Sequence, residues 1–296
     1  MDFSSTETFP QIAIAVLTTL AIFFLLIALE TLYKAYLGYG AARIAVLPVT
    51  ASSGKTILIK QDPKNSSSKT LVHSENQLTG IEFSYSTFLY LNEDSIDSGG
   101  AEGWKTIFYK GYESSPFPLQ GPGVYVSNSI DSSNDKIGPV LRIVMNSYDK
   151  WFNKVDVNNI PFNKWFHLAI VLRKNNLEVY VNGNMANRLS LAGSLPYQNY
   201  QTLNIFPNYK NSGDFSNWKS TASTSKKGLP AGENFIIHGK ASGYISNLFY
   251  FSYALTYSEI QGLQNMGPSS QFSQESMDRP PYLIDSWWTS RQLSPT

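Results

Sequence analysis

The chain has 296 residues, 42% hydrophobic and 14% aromatic against 15% charged, a balance too apolar for a disordered protein and sufficient for one large or two small folded units. A formal net charge of +1, with basic residues scattered singly, provides no patch to neutralise a phosphate backbone, which excludes nucleic acid as an expected partner. With no Cys, disulfides, thiolate zinc, iron–sulfur clusters and a cysteine nucleophile are all excluded.

Residues 1–11 form a short polar tail. Ile12 to Leu29 then reads IAIAVLTTLAIFFLLIAL, in which Thr18 and Thr19 are the only polar side chains and both can bond back to a helix carbonyl. A rise of 1.5 Å per residue makes that stretch about 27 Å long, and it predicts one transmembrane helix over 12–30 with Ile12, Leu17, Phe23, Phe24 and Leu29 facing lipid. The first ten residues carry Asp2 and Glu7 and neither Lys nor Arg, unlike the basic start of a cleavable signal, so a retained anchor is expected. Lys34 and Arg43 follow the span, and the positive-inside bias places the C-terminal body on the cytosolic side of a single-pass protein.

Residues 31–53 are expected to be a juxtamembrane linker, after which short β-type runs alternate with turn clusters. Thr56–Lys60 is a first strand. Gly80–Asn92 alternates Ile81, Phe83 and Tyr85 against Glu82, Ser84 and Ser86, the pattern of a half-buried strand. Thr106–Lys110, Gly123–Ser127 and Val140–Ser147 follow. Between Trp165 and Leu189, the turn residues Lys174-Asn175-Asn176 and Asn182-Gly183 predict a three-strand meander, with Trp165, His167 and Ala169 sharing one face and Trp165 filling the interior. Residues 207–232 read as a long surface loop whose Phe215 and Trp218 are candidate partner anchors. After the strand Gly243–Phe251, Thr256-Tyr257-Ser258-Glu259 fits a capping box and Gly267-Pro268 stops a short helix. Residues 269–296 form an extended aromatic tail in which Tyr282, Trp287 and Trp288 are further candidate anchors.

The order GIEFSYSTFLYL, PGVYVS at Pro122–Ser127, Asn159-Ile160-Pro161 leading to Trp165-Phe166-His167, LEVYVNG, and GYISNLFYFSYALTYSEI before Gly267-Pro268 resembles the laminin-G-like branch of the concanavalin A-like lectin/glucanase superfamily. The resemblance covers about residues 55–268 and implies an all-β fold, a two-sheet antiparallel jelly-roll sandwich over 54–268 with one N-terminal transmembrane helix and one short C-terminal helix. It also raises calcium, held by loop oxygens, with Asn92, Asp94 and Asp97 as one candidate cluster and Asp131 and Asp135 as another; without a fixed ligand spacing such clusters are more often solvated turns. No other cofactor is expected. An anchor in front and Pro-Pro-Tyr-Leu behind are similar to membrane-anchored virion proteins of large icosahedral DNA viruses of algae and protists.

Catalysis is not expected. Glycoside hydrolysis needs two carboxylates facing each other across the sugar, whereas the strand-borne acids Glu82 and Glu178 stand alone among apolar and hydroxyl residues. His167 reads as a hydrogen-bonded core or rim residue, and His73 and His238 have no neighbour at metal spacing. Loop aromatics such as Tyr197 and Tyr200 can stack on a sugar face or pin a protein partner. Three functions therefore stand: a non-catalytic structural protein linking the internal membrane of a large DNA virus to its capsid shell, with bilayer and capsid proteins as partners; a membrane-anchored carbohydrate-binding module; and a degenerate glycoside hydrolase.

Overall fold

The computed structural model describes residues 5–65, 68–74, 81–93, 103–130, 136–191, 195–210 and 235–273. The chain divides into two compact units, Met1–Arg43 and Ile44–Thr296. The first is one helix, α1 (Ser5–Ala42). Within it Gln11–Leu32 is long and apolar enough to cross a membrane, and its side chains have no cover from the protein. Ile12, Leu17, Phe23, Phe24 and Leu29 are each more than half exposed, at 63%, 65%, 57%, 65% and 54%. Thr18 and Thr19 donate to the Ala15 carbonyl at 2.9 and 2.8 Å, so no hydroxyl of this stretch needs an outside partner.

The expected linker over 31–53 does not exist as such. The helix continues to Ala42, and the chain then enters β1 (Arg43–Leu47) and β2 (Ala51–Ser52), both in the first sheet, where Val46 and Ala51 are buried. The Ala-Tyr-Leu-Gly-Tyr-Gly-Ala-Ala run contains no Pro to end the helix, and Ile-Ala-Val-Leu supplies apolar side chains that the sandwich buries.

The second unit is a sandwich of two seven-stranded sheets. The remaining strands of the first sheet are β4 (Phe83–Leu91), β9 (Trp165–Arg173), β10 (Asn176–Val181), β11 (Asn184–Ser190) and β14 (Gly243–Phe251), in the order β1-β14-β4-β9-β10-β11 with β2 beside β14. The second sheet holds β3 (Ile57–Ile59), β5 (Trp104–Lys110), β6 (Gly123–Ile130), β7 (Lys136–Met145), β8 (Asn153–Asn158), β12 (Leu203–Ile205) and β13 (Ile237–Lys240), in the order β3-β12-β5-β6-β7-β8 with β13 parallel to β5. The meander forms as expected: two-residue turns join β9 to β10 and β10 to β11, with Lys174, Asn182 and Gly183 at positive φ of 55°, 47° and 74°.

Alternate residues face the shared core. Phe83, Tyr85, Leu89 and Leu91 of β4 and Phe166, Leu168, Ile170 and Leu172 of β9 meet Val124, Val126, Leu141 and Ile143 of the other sheet. The inner face of β9 is thus opposite to the one expected: Trp165, His167 and Ala169 lie outside, and Trp165 packs edge-on against Tyr90 at 5.6 Å rather than filling the interior. That outer face is covered too. Helix α2 (Tyr257–Met266) lays Ile260 and Leu263 over Ala169, Val171, Phe249 and Phe251, so β4 and β9 are buried on both sides. The serines of β4 are consumed by this arrangement, since Ser84 Oγ donates to the Tyr253 carbonyl at 2.9 Å and accepts from Leu255 N at 3.0 Å. Thr256 and Glu259 form the expected capping box, and Gly267 ends the helix at φ 70°.

Residues 269–273, the described start of the extended segment, are bonded to the sandwich. Thr50 N donates to Gln271 O at 2.7 Å, Ser273 N donates to Thr50 O at 2.9 Å, and Thr50 Oγ1 donates to Ser269 O at 2.7 Å.

Removing the Phe166 ring leaves a cavity between the sheets, and Phe166→Ala should cost about 3–5 kcal/mol. Trp165→Ala should cost no more than about half of that, because its ring is half-buried on the outer face. Urea denaturation of both variants checks the order, and a larger loss for Trp165→Ala would put the core on the wrong side of β9.

Candidate functional site

The outer face of the second sheet is occupied by the protein's own aromatics. Phe117, Tyr125, Phe152 and Phe235 pack there with Val144 and Ile237, and Trp104 and Tyr209 lie against them. Arg142 is buried in this layer because each of its needs is met: Nε and Nη2 donate to the two carboxylate oxygens of Asp156, both at 2.7 Å, and the guanidinium sits 4.1 Å from the centre of the Trp104 ring.

Among the described residues, exposed Tyr112, Tyr148 and Tyr200 lie where residues 71–74, 110–123, 146–151 and 195–202 meet at one end of the sandwich. Asn146 ties these segments: its amide donates to Pro118 O at 3.0 Å and to Trp151 O, and its oxygen accepts from Gln120 N. Tyr197 N donates to Asn146 O and Tyr148 N to Leu195 O, both at 2.9 Å. Gly121, beside its cis proline peptide, permits the close approach, since a Cβ there would stand 3.2 Å from Tyr197 O. Tyr148 meets Tyr197 edge-on at 5.2 Å, and Trp151 stacks on Tyr197 at 6.2 Å. Tyr148 and Tyr200 are 56% and 75% exposed.

Inside this rim lies a recess of about one water's size, lined by Leu71, His73, Tyr85, Lys110, Asn199 and Tyr250 among others. Lys110, the last residue of β5, extends between the sheets and is only 4% exposed. Its Nζ donates to the Asn199 carbonyl and to Asn199 Oδ1 at 3.4 Å, and among the described residues no carboxylate pairs with it. Burial alone lowers its pKa to about 7. His73 Nε2 lies 3.3 Å from the same Asn199 carbonyl, and its ring stacks flat on Tyr200 at 3.8 Å. Burial and the Lys110 charge hold the His73 pKa down, against the hydrogen bond to Asn199. Tyr250 donates to Val72 O at 2.8 Å and accepts from Gln198 Nε2 at 3.2 Å; burial keeps its hydroxyl and that of Tyr85 neutral.

The other candidate residues do not assemble into a site. Asn92 donates from its amide to Ser242 Oγ at 3.0 Å, closing the turn before β14. Asp94, Asp97, Asp131 and Asp135 lie outside the described residues, as do Phe215, Trp218, Tyr282, Trp287 and Trp288. Among the described residues no three His, Asp or Glu side chains converge as a metal set. His167 Nε2 and Ser86 Oγ are 2.8 Å apart, but both residues are sealed in the sheet and burial lowers the His167 pKa to about 4, so the ring stays neutral as a packing element. Glu178 is 5% exposed and bonded by Tyr180 at 3.0 Å, with Arg173 and Arg188 at 3.6 and 3.7 Å; Glu82 accepts from Lys174 N at 3.3 Å. Both acids are committed to structure. Tyr197 and Tyr200 are rim residues legible in the sequence, whereas Lys110, His73, Tyr148 and Trp151 are not. The available signal was the phase of β5, which puts Lys110 two residues after core-facing Phe108.

The family Laminin_G_3, described as the concanavalin A-like lectin/glucanases superfamily, matches residues 64–261. The chain belongs to this family. Its matched span runs from the segment before the recess into helix α2 and so contains every rim residue named above. Among solved structures, the botulinum neurotoxin serotype D binding domain matches 73% of this chain and 41% of its own at 13% identity and a TM-score of 0.43. The binding domain of botulinum neurotoxin DC, solved in complex with rat synaptotagmin II, matches 63% of this chain and 36% of its own at 14% identity and a TM-score of 0.38. The chain thus spans less than half the length of either. No protein of curated function matches it.

A charge without a counter-ion between two sheets costs stability, and Lys110→Met keeps the stem while removing that charge. The folded-state pKa of about 7 lies below the value of 10.5 for a free lysine, so the penalty is complete below pH 7 and fades as pH rises toward 10.5. Thermal melts of Lys110→Met should therefore show a stabilised protein at pH 6 and a shrinking gain by pH 9. A destabilised variant at pH 6 would mean that the ammonium is held by more than Asn199.

Proposed function

We propose that the protein is a non-catalytic, single-pass membrane protein whose sandwich works by contact on the cytosolic side of a bilayer. In its specific form it is a minor capsid protein of a large DNA virus, linking an internal membrane to the capsid shell. The carrying observation is the joining, in one chain, of an uncovered apolar helix of membrane-spanning length to a concanavalin A-like sandwich. Lys34 and Arg43 after the span favour the cytosolic orientation, and the virion role rests on the resemblance of the anchor and of the Pro-Pro-Tyr-Leu segment.

Support for contact rather than turnover comes from the committed acids. Glu82 and Glu178 hold a turn and an arginine pair, and His167 is neutral and sealed, so none of the three is poised to exchange a proton with a substrate. A carbohydrate-binding role is the second reading, favoured by the lectin/glucanases family and by the exposed Tyr200 face. Bilayer lipid around α1, and a partner at the aromatic end of the sandwich, are the contacts this function requires.

Membranes carrying the full-length protein test it. The chain should resist alkaline extraction, and protease added from the cytosolic side should digest the body while the anchor survives. Cross-linking in purified particles should join Lys150, beside the rim, to a different protein. Release by alkali, or protection of the body inside sealed vesicles, would contradict the reading, and tight binding on a glycan array without any protein cross-link would favour the lectin role.

A further inference from the structure

We propose that the recess between Lys110 and His73, with its aromatic rim, receives a carboxylate of a partner protein, an acidic side chain or a C-terminus set beside an apolar residue. The inference names the partner chemistry for the contact function and rests on that reading.

Charge complementarity carries it. Lys110 has three N–H donors, of which the described contacts to Asn199 use two, and the residue lines the recess. His73, whose Nε2 lies 3.3 Å from the same Asn199 carbonyl, lines the opening as a neutral ring, and among the described residues no carboxylate pairs with Lys110. A buried cation of this kind attracts an anion strongly, because its surroundings screen charge less than bulk water does.

The size and chemistry of the opening select the anion. Space for about one water accommodates a carboxylate oxygen and excludes a sugar ring. The surrounding polar side chains are spent within the protein: Gln198 on Ser74 N at 3.0 Å and on Tyr250, Asn199 on Lys110 O at 2.9 Å and Gln201 N at 3.0 Å, and Asn146 on three backbone groups. They leave no fan of donors and acceptors for a row of sugar hydroxyls. Beside the recess the surface is aromatic: one face of Tyr200 rests on His73 while the residue is 75% exposed, and the same end of the sandwich carries Tyr148 at 56% and Leu195 at 42%. A single charge beside apolar surface is the signature of a peptide, with the aromatic rings as anchors.

The groups facing Lys110 are His73 from the 71–74 segment and Tyr85 and Tyr250 from the first sheet. The two phenols stay neutral, and Lys110 itself titrates near pH 7, so the site loses its cation as pH rises beyond that value. Carboxylate binding should weaken accordingly between pH 6.5 and pH 9.

The test uses the full-length protein in detergent micelles and ligand-observed NMR with four probes: N-acetyl-Leu-Leu with a free C-terminus, the same dipeptide amidated, N-acetyl-Asp-Leu amide, and glucuronate. One or both free-carboxylate peptides should bind, and which of them does identifies a C-terminus or an acidic side chain as the source. The neutral amide should be weaker by about tenfold or more, the loss of one charge-assisted hydrogen bond. Lys110→Met should produce the same loss, and Tyr200→Ala, at an exposed position, should weaken the peptides without unfolding the protein. Equal binding of acid and amide, indifference to Lys110→Met, or absence of binding by every probe overturns the proposal. Glucuronate binding in preference to both peptides also overturns it, in favour of an acidic sugar. If Lys110→Met does not fold, the pH dependence and Tyr200→Ala decide. Failure here, with membrane insertion and the protein cross-link intact, leaves the contact function standing.

Discussion

Two sheets share one apolar layer, and everything else in the body is arranged around keeping that layer closed. The layer is built from alternate residues of the long strands, with Phe83, Phe166, Leu168 and Ile170 on one side and Val124, Val126, Leu141 and Ile143 on the other. Burial at this scale is the main favourable term for the fold, and it fixes which face of each strand is inside. The outer faces are then closed as well, by helix α2 on the first sheet and by the Phe117, Phe152 and Phe235 cluster on the second.

Polar groups obey the same closure. Asn146, Asn153 and Asn199 each bind several backbone groups of the segments at the aromatic end, replacing the sheet hydrogen bonds that such irregular chain lacks. Arg142 enters the aromatic layer only with Asp156 and Trp104 attached. Lys110 stands apart from this pattern, with the Asn199 oxygens for company and, among the described residues, no anion. Structural burial of charge is normally paired, and among the described residues no carboxylate meets this one, which is why the proposed carboxylate contact is placed here.

The sequence carries most of this fold, for identifiable reasons. Asn182-Gly183, the capping box at Thr256 and the strand around Phe83 are local signals, and each forms where its chemistry demands. A period of two tells which residues share a face and leaves open which face is inside. On β9 both faces carry apolar residues because α2, remote in sequence, covers the outer one, so alternation alone does not tell that Trp165 lies outside. The strands of 43–52 resemble a linker in sequence because their partner, β14, lies about two hundred residues away. The site was less legible still. Oxygen-rich and aromatic loops attract attention by composition, yet Asp94, Asp131, Trp218 and Trp288 fall outside the described residues, while a lone lysine at a strand end reads as solvated. Its burial depends on loops 110–123 and 195–202 folding over it, a contact that no local window contains.

The absence of cysteine makes the central claim directly measurable. A Tyr200→Cys substitution places one thiol on the rim, and a maleimide reagent can be applied to the protein alone in detergent and to the native membrane-bound assembly. The account predicts rapid labelling in detergent and strong protection in the assembly, with a second exposed thiol in place of Met185, on the edge strand β11 and outside the recess and its rim, labelled in both. Equal labelling of the Tyr200 position in the two states would show that the aromatic end of the sandwich touches nothing, and would contradict a protein that works by contact there.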